Sequence, residues 1–183
     1  MVDVMGHIAF GLLFAVPAWF LWSGRASAAF VGMAAVTAIL PDMDVWLSKF
    51  FPNSVHHHGV THTVVFVVLG GLVLAGIVTV LLRGPIDDWV ESKRFDTWSL
   101  YGFSLTAILV GGLSHIFADL LSAPDISTPI EPFWPFFDKW WSVDLVWYNA
   151  RWINLGFLTV MVLVHLGLAY YALPANHRFR LAS

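Results

Sequence analysis

Two polar residues, His115 and Asp119, lie one helical turn apart in the apolar segment 114–121. On one face of a helix, an imidazole nitrogen and a carboxylate oxygen at this spacing can ligate the same zinc, manganese or iron ion. Ionisable side chains are costly where lipid is expected, so the pair indicates a functional site. A hydrogen bond that joins two helices is the simpler interpretation of the same pair.

Four other places in the chain offer histidine or aspartate side chains for the same site. They are His7, the pair Asp42 and Asp44, the histidine run 56–58 and His62. The two aspartates could serve neighbouring ions, or one ion and the side chains that orient its ligands. Each place also has a structural interpretation: polar residues are tolerated at a membrane interface, carboxylates can end a helix, and a histidine run can be a solvated loop. We expect at most two members of the run to bind metal.

Composition places this chain in a membrane. Of its residues, 58% are hydrophobic and 11% are charged, whereas soluble domains have about 25% charged residues. The mean hydropathy of +0.76 agrees with lipid as the solvent. No basic stripe suggests nucleic-acid binding, and the absence of cysteine restricts any metal site to nitrogen and oxygen ligands.

The chain offers about five apolar segments of the length that a spanning helix requires, roughly 20 residues. They lie near 6–22, 26–46, 63–82, 99–121 and 152–173. The second is interrupted by Pro41 and the two aspartates that follow it. The sequence therefore predicts an all-α, multi-pass transmembrane helical bundle in a single membrane domain, 1–183.

With five spans, the metal-ligating candidates all fall at helix ends on the side that holds the N-terminus, the 47–62 loop and the 122–151 loop. His115 would lie about 9 Å in from the end of its helix, which makes the polar cavity recessed. This side carries three Lys and Arg residues and the opposite side carries six, so the positive-inside rule predicts an extracytoplasmic site.

Imidazole and carboxylate ligands suit zinc, manganese or iron, and several carboxylates can bridge two ions about 3.5–4 Å apart. A bound ion lowers the pKa of its water toward about 7, while a second ion can hold the oxygens of a phosphate-like group. This chemistry is hydrolysis. A cavity recessed into the bilayer is reached more easily from lipid than from water, which favours an amphiphilic substrate.

These motifs, in this order, resemble the pattern of the YdjM-type membrane-bound metal-dependent hydrolases. The matching elements are His7 with Gly11, Leu40-Pro41-Asp42-Met43-Asp44, His57-His58-Gly59-Val60-Thr61-His62-Thr63, and His115-Ile116-Phe117-Ala118-Asp119, all within about 5–136. The Leu-Pro-Asp-x-Asp and Gly-x-Thr-His blocks are the specific ones. The family is also distantly similar to zinc-dependent phospholipase C and the P1-type nucleases, and this similarity implies a phosphoester substrate.

Two departures from the family pattern concern the substrate. His58 stands where the family has Arg, which replaces a permanent cation with a ligand or a titratable group. The Pro-rich segment 127–136 has Glu131 near a position where Gly is common, so Glu131 is a further ligand, a general base or a loop residue. We expect His58 and Glu131 to contact the substrate or transfer protons.

The resulting hypothesis is a metal-dependent hydrolase of the cell membrane that cleaves a phosphoester of a lipid or lipid-linked substrate. It would hold two or more ions, zinc being favoured. The expected metal ligands are His7, Asp42, Asp44, His57, His62, His115 and Asp119.

Two other functions fit the same residues. Intramembrane histidine and aspartate also mark ion pathways, so a divalent-cation transporter or channel is the first alternative. A non-catalytic scaffold in which metal holds helices together is the second. His165, in the middle of the last span, is expected to pack or to form hydrogen bonds across helices.

Overall fold

The computed structural model describes residues 2–22, 24–52, 55, 57–90 and 95–173. The helices are α1 Val4–Ala15, α2 Ala18–Leu21, α3 Gly24–Thr37, α4 Met43–Phe50, α5 Val64–Leu81, α6 Arg83–Val90, α7 Thr97–Leu121 and α8 Leu158–Ala172. A 3-10 turn, Val60–His62, precedes α5, and a π-helical turn, Trp152–Phe157, precedes α8. These residues form isolated β-bridges but no strand, so the predicted all-α class is confirmed.

Four helical segments are long and apolar enough to cross a membrane. They are Val4–Leu21, Val64–Leu81, Thr97–Leu121 and Trp152–Ala172. These correspond to the first, third, fourth and fifth predicted spans, with bounds that differ by a few residues. The sequence therefore located these four helices from apolar length alone.

The predicted span 26–46 is not one helix. Helix α3 ends at Thr37, a turn follows, and α4 begins at Met43. Pro41 explains the break, because it lacks an N–H and disfavours helical geometry in the preceding residue. Helix α3 has 14 residues and is about 21 Å long, which is shorter than the hydrocarbon core of about 30 Å.

Helix α3 nevertheless runs back through the bundle, from the end opposite the metal-ligating residues to the end that carries them. Its first residue lies against the last turn of α8, where a Cβ on Gly24 would lie 2.8 Å from the carbonyl oxygen of Ala172. Just past its last residue, the carbonyl of Ala38 accepts a hydrogen bond from His115. Helix α3 therefore still connects the two ends of the bundle, as predicted for the second span, although it is short.

Helix α7 is central, since α1, α3 and α5 all pack against it. Two adjacent glycines permit close approach one turn before His115. A Cβ on Gly111 would lie 2.1 Å from Thr37 Oγ1, and one on Gly112 would lie 2.6 Å from Val67 Cγ1. Small residues at such contacts let membrane helices approach closely. Gly111 and Gly112 thus allow the end of α3 and the start of α5 to lie next to His115.

Candidate metal centre

The candidate ligands come from four separate parts of the chain and meet at one end of the bundle. His7 is in α1, Asp42 and Asp44 are at the start of α4, His57, His58 and His62 precede α5, and His115 and Asp119 are in the last two turns of α7. Overlapping groups of three among these residues have ligand atoms within 4.8 Å of one another. His56 lies outside the described residues.

Two imidazole nitrogens face each other at the middle of this cluster, since His62 Nε2 lies 3.1 Å from His115 Nε2. Asp119 Oδ2 is 3.1 Å from the nitrogen of His115 and 3.5 Å from that of His62. Asp42 Oδ1 is 3.6 Å and 3.4 Å from the same two nitrogens. Two nitrogens and two carboxylate oxygens therefore surround one small volume.

The opposite ring nitrogens fix which tautomer each histidine adopts. His115 Nδ1 donates to the carbonyl of Ala38 at 2.7 Å, so the Nε2 of the neutral ring has a free lone pair. His62 Nδ1 lies 3.1 Å from Asp44 Oδ2, which fixes the neutral ring of His62 in the same way. Metal-ligating histidines characteristically donate their second N–H to a carbonyl or a carboxylate.

His7 lies against the same group, and neither of its ring nitrogens forms a hydrogen bond. It is fully buried and its ring stacks on that of His115, with the centroids 3.7 Å apart and the planes 11° apart. Its Nε2 is 3.6 Å from Asp119 Oδ1 and 3.8 Å from Asp42 Oδ2, which is too far for hydrogen bonds but close enough for a shared ion.

Unsatisfied polar atoms are concentrated in this cluster. In the part of the chain that the structure describes, eight buried side-chain nitrogen or oxygen atoms lack a hydrogen-bond partner, and five belong to His7, Asp42 and Asp119. A buried polar group without a partner costs about 1–3 kcal/mol, and a charged one costs more. A divalent cation would satisfy both the lone pairs and the negative charge, so this donor set fits a metal.

Asp44 differs from Asp42 because both of its oxygens are hydrogen-bonded. One accepts from His57 Nδ1 at 2.8 Å, and the other accepts from Thr61 Oγ1 at 2.7 Å and faces His62. Burial acts to raise the pKa of Asp44, but these hydrogen bonds outweigh it and hold the pKa well below its usual value. Asp44 is therefore a carboxylate that can orient His57 and His62, and it also belongs, with Asp42 and His57, to one of the groups able to hold a metal.

His62 and His58 have opposite protonation preferences in the metal-free protein. Burial acts to lower the pKa of His62, but the carboxylates of Asp42 and Asp44 raise this pKa to about 9. Burial lowers the pKa of His58 to about 4, against the influence of Asp119. His58 is therefore a neutral base, whereas the position of His62 attracts positive charge.

His58 is placed by an uncommon backbone conformation and by the 122–151 loop. Its φ of 64° lies in the left-handed region, which few residues other than glycine adopt. Its Nδ1 donates to the carbonyl of Thr128, and its Nε2 is 3.9 Å from Asp119 Oδ2. The ring therefore lies between the cluster and the loop.

A polar chamber of about 400 Å³ adjoins the cluster, and both His58 and Glu131 line it. The lining also includes Gly59, Val60, Thr63, Thr128, Pro129, Trp134 and Trp140. Glu131 accepts a hydrogen bond from the indole N–H of Trp140, and no ligand group found among the described residues includes it. Glu131 therefore lies outside the ligand cluster, but it lines the same chamber as His58.

Two contributors to the site were not identified from the sequence. Thr61 lies within the Gly-x-Thr-His block, and a hydroxyl beside a candidate ligand was a signal that could have found it. The carbonyl of Ala38, which orients His115, has no side-chain signature because every residue carries such a group. A backbone contact of this kind depends on how α3 and α7 pack.

Comparisons with known proteins identify the family. Comparisons with curated proteins and with solved structures give no match. The distant similarity to phospholipase C and the P1-type nucleases therefore stays a prediction. A family model described as "YdjM inner membrane protein" matches residues 1–180, which is nearly the whole chain. The chain belongs to the family of YdjM inner membrane proteins.

Proposed function

We propose that this protein is a membrane-embedded, metal-dependent hydrolase that cleaves a phosphoester of a lipid or lipid-linked substrate. One observation carries the proposal: five buried atoms of His7, Asp42 and Asp119 lack hydrogen bonds around the facing nitrogens of His62 and His115. A fold that needed these residues only for packing would have paired them, because unpaired polar atoms are costly away from water.

The proposed ligands divide into two overlapping groups. His7, Asp42, His62, His115 and Asp119 surround the central volume described above. His57, with Asp44 beside it, extends the donor set toward the chamber, so we propose two or more ions. Mixed nitrogen and oxygen donors without sulfur suit zinc, and they also accept manganese or iron.

When bound, a divalent ion would supply Lewis acidity and acidify a water for attack on a phosphoester. The protein's own residues would hold the substrate and move protons. His58 is neutral at physiological pH, and its Nε2 lies 3.4 Å from Ser127 Oγ and 3.9 Å from Asp119 Oδ2, so we propose that it relays a proton there. Glu131, on the wall of the same chamber, would contact the leaving group or the head group.

Two observations favour this enzyme over cation transport. Within the described residues, every group able to hold a metal lies at one end of the bundle. His165, in the last span, uses both ring nitrogens in hydrogen bonds and offers no lone pair to a passing ion. By the count of Lys and Arg, we place the cluster on the extracytoplasmic side of the inner membrane.

The test compares His115→Ala with His165→Ala, since both remove a buried histidine from a spanning helix. Purified proteins in detergent with added zinc are assayed for turnover of phosphatidic acid and phospholipids. We expect turnover by the wild type and by His165→Ala, and none by His115→Ala. Equal rates for the wild type and His115→Ala would contradict catalysis at this site.

A further inference from the structure

The polar chamber continues into an apolar groove along α5. The groove has a volume of about 520 Å³ and is lined by Val60, Thr63, Val65, Phe66, Leu69, Gly70, Val73, Leu74, Ile77 and Trp134. Three of these residues, Val60, Thr63 and Trp134, also line the chamber that contains His58 and Glu131. A polar compartment beside the metal centre thus shares a wall with an apolar one.

The α5 groove is long enough to hold an alkyl chain that spans one leaflet of a bilayer. From Thr63 to Ile77 the groove follows 14 helical steps, or about 21 Å along the axis. One leaflet contributes about 15 Å of hydrocarbon, half of the usual core. Val73, on the groove wall, is 65% exposed, so the groove opens sideways to lipid.

A second apolar cavity adjoins the α5 groove and reaches the residues next to Asp42. It has a volume of about 280 Å³ and includes Pro41 and Met43, which flank Asp42 in the sequence. It shares Phe66, Gly70 and Leu74 with the α5 groove. Gly70 therefore faces both apolar compartments.

We infer that the α5 groove binds one alkyl chain of the substrate lipid while its phosphate head group lies in the chamber beside His58. This inference rests on the proposed function and specifies where the substrate is bound. The argument is continuity: an amphiphile needs a polar compartment at the metal centre and an apolar one that joins it, and Val60, Thr63 and Trp134 form that junction. The substrate enters sideways from the leaflet, and its chain sets the depth of the head group.

Gly70 permits a test that fills the groove without disturbing the fold. A Cβ on Gly70 would meet no atom within 4 Å, whereas one on Gly71 would lie 3.1 Å from Leu109. Gly76 is on the same helix, is equally open and lines neither compartment. Gly70→Leu therefore has a matched control in Gly76→Leu, with the same gain in bulk, hydrophobicity and helix propensity.

Turnover of long-chain phosphatidic acid is compared with that of a short-chain, water-soluble analogue. We expect Gly70→Leu to lower kcat/KM for the long-chain substrate about tenfold, the equivalent of about two methylene groups that lose their binding surface. The short-chain analogue should be turned over at the wild-type rate, and Gly76→Leu should change neither. Equal losses for both substrates, or for both variants, would overturn the inference.

A second measurement does not depend on activity. A photoreactive long-chain alkyl phosphate should crosslink to Phe66, Leu69 or Val73 of the wild type and of Gly76→Leu, but not of Gly70→Leu. Excess phosphatidic acid should prevent the crosslink, whereas diacylglycerol, which lacks the phosphate, should not. Equal competition by both lipids would show bulk lipid only, and crosslinks between two copies of the chain would show a protein interface. Either outcome would overturn the inference.

The two measurements separate failure of the groove from failure of the hydrolase. Phosphate-dependent crosslinking in a wild type that turns over no substrate would contradict the hydrolase and leave the lipid-chain site standing. If the protein turns over long-chain substrate and Gly70→Leu leaves that turnover unchanged, the hydrolase is supported and the lipid-chain site is contradicted.

Discussion

His115 and His165 are both buried histidines in spanning helices, yet their surroundings differ completely. His165 accepts a hydrogen bond from Trp19 Nε1 at 2.7 Å and donates to the carbonyl of Leu12 at 2.9 Å. His115 uses one nitrogen on Ala38 and directs the other at His62 and Asp119. Burial inside the helical bundle is common to both residues, and only His115 keeps a lone pair for a ligand.

The surroundings of His165 explain why it is structural. Pro17, which lies between α1 and α2, has no N–H, and the N–H of Val16 bonds to Leu13 instead of Leu12. The carbonyl of Leu12 would therefore be unpaired in lipid without His165. Neighbouring side chains commonly satisfy the backbone groups that a proline frees in a membrane helix. His165 pairs a backbone carbonyl that the break at Pro17 leaves free, whereas His115 belongs to a polar cluster in which several atoms lack hydrogen bonds.

The largest expected effect is loss of metal from Asp119→Asn, a change that keeps the shape of the side chain but removes its charge. We expect metal affinity to fall by more than about 100-fold, beyond the effect of changing an outer hydrogen-bond partner. Elemental analysis of the purified protein should show bound metal in the wild type and in His165→Phe. Equal metal loss in both variants would remove the distinction between the two regions.

A smaller effect is expected for Asp44→Asn, since Asp44 acts on the cluster by orienting His57 and His62. Loss of such a partner typically costs about 10–100-fold in metal affinity. Asp42→Asn, two residues earlier, should cost more because the oxygens of Asp42 have no other partners. Titration with a metal-buffered indicator measures both affinities, and the reverse order would show that Asp44 is the more direct ligand.

His165→Phe should reduce stability without changing metal binding. It leaves the indole N–H of Trp19 and the carbonyl of Leu12 unpaired, at a cost of about 1–3 kcal/mol for a buried group. Thermal unfolding in detergent should show a lower Tm both with metal and with chelator. Trp19→Phe removes only the first of these hydrogen bonds and serves as the milder control. A stability loss confined to the metal-bound protein would place His165 in the metal centre.

Much of this architecture could be predicted from local sequence. Apolar length located four spanning helices, and His115 with Asp119 revealed their shared helical face without any tertiary information. The interruption at Pro41 was visible, but the sequence did not say that α3 stops at Thr37, because a proline allows either a kink or a break. Which one occurs depends on packing, and here the end of α3 packs closely against Gly111.

The roles within the site were harder to predict than its membership. Asp42 and Asp44 look equivalent in a Leu-Pro-Asp-x-Asp motif. Their side chains point in different directions around the first turn of α4, so the oxygens of Asp42 lack hydrogen-bond partners, whereas Asp44 is surrounded by donors. The metal identity, the substrate and the number of ions stay predictions. Distances between helices decide such roles, and no local pattern encodes those distances.

The smallest expected effect is on the pH dependence of stabilisation by metal. Because the pKa of His62 is raised from 6.5 in the unfolded chain to about 9 in the folded protein, protonated His62 stabilises the metal-free protein. This contribution is complete below pH 6.5 and is lost as the pH rises toward about 9. A metal takes the place of that proton, so stabilisation by metal should grow across this window. We expect the difference in Tm between metal and chelator to increase by about 3–5 °C for each pH unit within it, the equivalent of about 1.4 kcal/mol. His165→Phe should keep this pH dependence and His115→Ala should lose it, whereas a pH-independent difference would show that no proton competes with metal at His62.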